Sequence, residues 1–142
     1  MRPKIKKAFT LMEIMVVIVI AGVIAGFAIP SYVKSMERSH ESDAINQLST
    51  IHAANQIYLS RAGRYWPLGE INEYEIDEIN AALSLNIIAN GMTYSCIGIG
   101  GGTAFTCTAT RDAPATPFTV TVTEAALDAT NPMCTSGTPP CP

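Results

Sequence analysis

The chain has 142 residues, 48% of them hydrophobic, which is enough for one modest globular domain and too few for two. Its net charge of −3 conceals an asymmetry: four of the nine basic residues fall in the first eight positions, leaving five basic against twelve acidic side chains in the rest. So acidic a remainder has no basic stripe to track a phosphate backbone, which argues against nucleic acid as a partner.

Residues 1–8 form a short basic leader containing Arg2, Lys4, Lys6 and Lys7. From Phe9 to Val33, 25 residues, the only charge is Glu13, and as a helix that span is long enough to cross the hydrocarbon of a bilayer. Basic residues beside a first membrane segment are retained in the cytoplasm, so the expected topology is a single pass with the N-terminus inside and Ser31 to Pro142 outside. Within the apolar helix, residues 9–30, Gly22 and Gly26 stand at a small-xxx-small spacing that permits close helix contact. Pro30 removes one helical donor and should mark a kink or weak point. A carboxylate in such a segment costs about 2.5 kcal/mol or more at the bilayer centre, so Glu13 calls for a specific cationic partner.

Residues 31–62 keep a helical period with one apolar face, Val33, Met36, Ala44, Ile45, Leu48, Ile51, Tyr58 and Leu59. Gly63 offers the stop. Residues 63–91 form a connection in which Arg64 to Asn72 reads as loop and Glu73 to about Leu85 as a short second helix, its acids Glu73, Glu75, Asp77 and Glu78 crowding the first turns. That cluster fits a solvated helix start better than a cation site, since its spacing matches no calcium loop. From Met92 the period changes to two. Met92 to Ile97, Ala104 to Thr110 and Phe118 to Thr123 predict a three-stranded antiparallel meander, followed by an irregular tail from Ala125.

If Gly101 and Gly102 make a two-residue turn, Cys96 and Cys107 face each other across the hairpin within disulfide reach, leaving Cys134 and Cys141 to close a short loop. All four lie on the outer side, where oxidation is permitted. A zinc site is the rival reading, but no C-x-x-C spacing occurs. Gly98 to Gly102 lacks the lysine and following helix of a phosphate loop and reads as a turn. His40 and His52 have no carboxylate or serine at motif spacing, so they read as surface or interface residues, and no catalytic set, metal site or cofactor site is expected.

The run Lys6-Lys7-Ala8-Phe9-Thr10-Leu11-Met12-Glu13, continuing through Ile14 to Ile29 into Pro30-Ser31-Tyr32, resembles the start of bacterial type IV prepilins and of the pseudopilins of type II secretion. The resemblance implies that a prepilin peptidase cuts between Ala8 and Phe9 on the cytoplasmic side and methylates the new amine of Phe9. The family more often has glycine before the cut, where this chain has Ala8. It also implies polymerisation with copies of itself, driven by a pilus or type II secretion assembly platform, and storage in inner-membrane lipid beforehand. Cleavage removes all four leader charges and creates an amine four residues from Glu13, on the same stretch of helix. Glu13 of one subunit then meets the Phe9 amine of its own or a neighbouring subunit, and breaking such a pair in low dielectric costs several kcal/mol. In filaments of this family the helix often loosens between the positions of Gly22 and Pro30.

The expected fold is α+β: a pilin fold with a long N-terminal helix on a small antiparallel sheet and a disulfide-closed C-terminal region. The expected function is structural, as a pilin of an extracellular pilus. A pseudopilin of a periplasmic filament is the alternative within the resemblance, and a secreted binding domain or enzyme behind an ordinary signal peptide is the alternative of another class. Phe9, Phe27, Tyr32, Tyr58, Tyr65 and Trp66 raise the thought of a conductive or DNA-binding fibre, although core packing is the simpler use of most of them.

Overall fold

The computed structural model describes residues 9–69, 74–111, 117–128 and 130–136. The chain divides into two units, Met1–Met36 and Glu37–Pro142, each considered by itself. Helix α1 is continuous over Leu11–Ala62, 52 residues with Pro30 inside, and it contributes to both.

In the first unit every described residue, 9–36, is exposed, including Phe9 and Phe27 at 81%. It is long and apolar enough to cross a membrane. Among the described residues nothing lies within 4 Å of the open faces of Gly22 and Gly26. A stripe this apolar on all sides, rather than on one, has no core of its own to join.

The second unit is built on the remainder of α1. Ala44, Leu48 and Ile51 are fully buried, and Ile45 and Tyr58 are packed partly against the same core. Three polar side chains share that buried face, Glu37, His52 and Asn55. The helix ends at Ala62, and Gly63 follows at φ 72°, donating its N–H to Leu59 O at 2.8 Å in the left-handed turn that glycine adopts without a Cβ penalty.

The strands are β1 (Tyr74–Glu75), β2 (Thr93–Ile99), β3 (Ala104–Arg111), β4 (Phe118–Thr123) and β5 (Met133–Ser136), in one antiparallel sheet of order β1-β2-β3-β4-β5. The sheet therefore has five strands where the pattern suggested three. β5 comes from the segment read as irregular, and it pairs Val120 with Cys134 although Pro132 immediately precedes it. A proline just before a strand costs no ladder hydrogen bond, so the breaker signal misled. β1 occupies residues assigned to the short helix, which is observed as α2, Ile76–Leu83. Its start is set by Glu75 in a capping box with Glu78, and the expected first residue, Glu73, lies outside the described residues.

The β2–β3 hairpin has Cys96 opposite Cys107, but it closes through four residues, Gly100 to Thr103, between the paired Ile99 and Ala104. Gly100, Gly101 and Gly102 all take positive φ, at 58°, 66° and 93°, so the wider loop needs three glycines where a two-residue turn needs two. Alternate strand residues point inward: Tyr94, Cys96, Phe105, Cys107, Ala109, Phe118, Val120 and Val122 are buried against α1, α2 and Ile87 in a single cluster.

Candidate functional site

The residues expected to matter most stand at the start of α1. Thr10 is the residue before the first helical position, and its side-chain oxygen accepts the N–H of Glu13 at 3.2 Å. The Glu13 carboxylate reaches back, accepting the N–H of Thr10 at 3.0 Å and its hydroxyl at 3.1 Å through one oxygen, Oε2. These reciprocal bonds are a capping box, satisfying donors that a helix start leaves orphaned. The carboxylate also sits at the positive end of the helix dipole. Sequence reasoning missed this role: Thr-x-x-Glu ahead of an apolar run is itself the signature of the motif, and attention to the charge hid it. In the single chain Glu13 thus has local partners, with its second oxygen, Oε1, outside these bonds.

Phe9 stands directly before this box and is exposed. Ala8, the other side of the expected cleavage point, lies outside the described residues. Gly22, Gly26 and Pro30 lie within unbroken helix in the single chain.

Cys96 and Cys107 form a disulfide whose Cα atoms are 4.1 Å apart. Cys134 is also disulfide-bonded, while Cys141 lies outside the described residues. Among the described residues no cluster of three or more His, Cys, Asp or Glu side chains is placed to hold a metal ion.

The histidines differ from expectation. His52 is buried at 6% exposure, with Nε2 donating to Ala125 O at 2.9 Å and its ring 6.0 Å from that of Phe105. It is a core residue that ties α1 to the segment after β4, and only His40 stays partly exposed. Of the aromatics, Phe9, Phe27 and Tyr32 are exposed in the first unit, whereas Tyr58, Tyr65 and Trp66 pack on the core of the second.

Polar anchors unforeseen from pattern hold the loops of the second unit. Asn55 accepts the N–H of Trp66 at 2.9 Å and donates to its carbonyl at 2.7 Å, so one fully buried side chain imitates a strand partner. Asn80 does the same for Ile87, at 2.8 and 2.9 Å. Asn131 accepts from Thr123 N at 3.0 Å and donates to Ala125 O at 2.7 Å. Arg111, at the end of β3, grips Glu37 with Nε at 2.6 Å and Nη2 at 3.1 Å, a two-pronged pair. Burial raises the carboxyl of neighbouring Glu41 above its ordinary range, partly countered by Arg38. The Tyr94 hydroxyl is buried with no hydrogen-bond partner among the described residues, and burial, helped by the negative charge of Asp43, pushes it up to about 12.

Residues 3–29 match the family described as the prokaryotic N-terminal methylation motif. Over 59 residues the chain is 37% identical to the type IV major pilin protein PilA of Myxococcus xanthus, covering 42% of this chain and 27% of that protein. It is 32% identical over 111 residues to the fimbrial protein EcpC of Eikenella corrodens, covering 78% of this chain and 65% of the relative. The type II secretion system core protein G of Klebsiella pneumoniae is 35% identical over 60 residues, 42% of this chain and 43% of that protein. The chain thus spans less than two thirds of the length of each of these relatives. No solved structure matches it.

Proposed function

We propose that this prepilin-type chain, similar to pilins and to a pseudopilin, is a structural subunit that polymerises through its N-terminal helix into a surface pilus. The observation that carries the reading is the first unit: a methylation motif at residues 3–29 leads into a capped helix, and residues 9–30 are all exposed and, apart from Thr10 and Glu13, apolar. Such a surface demands lipid or copies of itself, and a fibre subunit uses one after the other. In the bilayer the helix is a single-pass anchor with the basic leader in the cytoplasm. A prepilin peptidase removes residues 1–8 and methylates Phe9, and an assembly platform moves the subunit into the filament. Leaving lipid for an equally apolar bundle gives little driving force by itself, so close packing at Gly22 and Gly26 and charge pairing at Glu13 supply register. Gly22, Gly26 and Pro30 weaken the helix, and a cryo-EM map of the fibre should show it loosened there; unbroken helix would remove that step.

Mass spectrometry of the mature protein tests the reading. An N-terminus at methylated Phe9 is expected, and one near Ile29 would mean ordinary export of a soluble domain. A second reading, a pseudopilin of a periplasmic filament, is favoured by the likeness to core protein G. Deleting the gene separates the two: loss of surface fibres supports the pilus, and secreted enzymes retained in the cell support the pseudopilus.

A further inference from the structure

β3 reads Thr106-Cys107-Thr108-Ala109-Thr110 and β4 reads Thr119-Val120-Thr121-Val122-Thr123. The register sets Thr106 opposite Thr123, Thr108 opposite Thr121 and Thr110 opposite Thr119. Because the intervening Cys107, Ala109, Val120 and Val122 are fully buried, the six threonines form three cross-strand rows on the face turned away from the core. The rows extend outward, to Ser95 of β2, whose hydroxyl lies 2.9 Å from that of Thr108, and to Thr135 of β5, opposite Thr119. Across β2 to β5 this face carries no charged and no aromatic side chain among the described residues; Ile97, opposite Thr106, Ile99, opposite Ala104, and Met133, opposite Thr121, stand on it as exposed apolar side chains among the hydroxyls. Glu75 of β1, opposite Ser95, stands at its margin with its carboxylate engaged by the α2 capping box.

We infer that this hydroxyl face is a self-association surface through which arrays of this chain adhere side by side. Charge selects a second copy as the occupant: beyond the leader there are five basic and twelve acidic residues, so copies repel generally, and this face is where they approach without like charges meeting. Chemistry agrees, since each hydroxyl both donates and accepts, and a lattice of them is its own complement across a two-fold axis. Area decides the form of the association. With strands about 4.8 Å apart and like-facing residues about 6.8 Å apart, a dozen positions present about 400 Å². Two such faces bury about 800 Å², below the ~1,000 Å² expected of a stable pair. A lone pair of chains therefore stays apart, and many copies displayed together adhere by multiplied weak contacts. The inference rests on the proposed polymer for that display, and it yields lateral bundling of fibres.

The test compares the full chain with two double variants, Thr110→Asp/Thr121→Asp and Thr110→Asn/Thr121→Asn, which have the same shape and differ in charge. Fibres sheared from cells are spun first at low speed, which pellets bundles, and then at high speed, which pellets single fibres. The Asp variant should move at least tenfold from the low-speed to the high-speed pellet at unchanged total, with the Asn variant close to the original. Asp fibres that pellet like the original would overturn the inference. Should no variant form fibres, the proposed polymer falls and a second display decides: the full chain inserted densely in phosphatidylcholine vesicles. There the original and Asn chains should cluster vesicles and the Asp chain should leave them dispersed, whereas original chains that leave them dispersed would sink the idea.

Discussion

Thr10 exchanges three hydrogen bonds with Glu13, so its hydroxyl is a structural part of the helix start. Thr10→Val removes the acceptor for the Glu13 amide and one of the two donors to the carboxylate; a lost cap is worth about 1 kcal/mol. In detergent micelles the amides of residues 11–14 should then exchange roughly five- to tenfold faster, and Thr10→Ser should restore the original rate. Tyr94 supplies a second prediction at this scale. Burial pushes its hydroxyl up from an ordinary 10.0 to about 12, so the folded state holds its proton more tightly. The contribution to stability is present in full below pH 10 and is lost as pH rises from about 10 to about 12. Chemical unfolding followed across that window should show a decline that Tyr94→Phe, which has no proton to lose, lacks.

At the scale of elements, the loop after α1 is held by two devices that act from opposite sides. Asn55 binds Trp66 through both its amide atoms, and Gly98 of β2 leaves room for the backbone beside it. A Cβ on Gly98 would fall 1.9 Å from Pro67 O, a clash with backbone that no rotamer relieves. Gly98→Ala should therefore lower stability by about 2 kcal/mol or more, read from the unfolding midpoint. Asn55→Ala removes both bonds to Trp66 and should cost about 1–3 kcal/mol. Asn55→Asp keeps the acceptor but turns a second oxygen toward the Trp66 carbonyl in a fully buried site, so at neutral pH it should be at least as destabilising as Ala. Equal stability of Asp and Asn chains would mean that the donated bond carries nothing.

Elements with repeated signals were legible in the sequence, and single-residue devices were not. The buried stripe Ala44, Leu48, Ile51 and the alternation of β4 follow from period, and Cys96 facing Cys107 follows from a hairpin centred between Gly101 and Gly102, a centre that the wider loop shares. Each rests on several residues that agree. Asn55, Asn80, Asn131 and His52 are polar residues whose bonded partners lie outside their own helix or strand, from 6 residues away for Asn131 and Ala125 to 73 for His52, so no helical or strand period contains the pair that explains them. β5 failed for a related reason: four residues between prolines have no period to count, and their strand exists because β4 offers an edge. At the helix start the letters were sufficient, since Thr10 and Glu13 stand at capping-box spacing.

On the scale of the whole molecule, the observed cap at Glu13 and its proposed charge pair have to be separated, because both predict the same loss on simple deletion. Glu13→Val abolishes both. Glu13→Gln does not: a glutamine at this position still accepts from the Thr10 N–H, the Gln form of the capping box, but carries no charge to meet an amine in low dielectric. The helix start should accordingly be retained in Gln, with residues 11–14 exchanging within about twofold of the original chain. The fibre yield from cells should drop at least tenfold for Gln as for Val, because a neutral side chain cannot hold a charged Phe9 amine in register across neighbouring subunits. Gln fibres at the original yield would reduce Glu13 to its local bonds with Thr10 and leave helix packing at Gly22 and Gly26 to set the register alone. A loss in Val with none in Gln would carry the same message, with the cap as the requirement. The outcome expected, equal losses in fibre with unequal losses of helix protection, arises only if the carboxylate serves the helix in the single chain and the fibre in the assembled one.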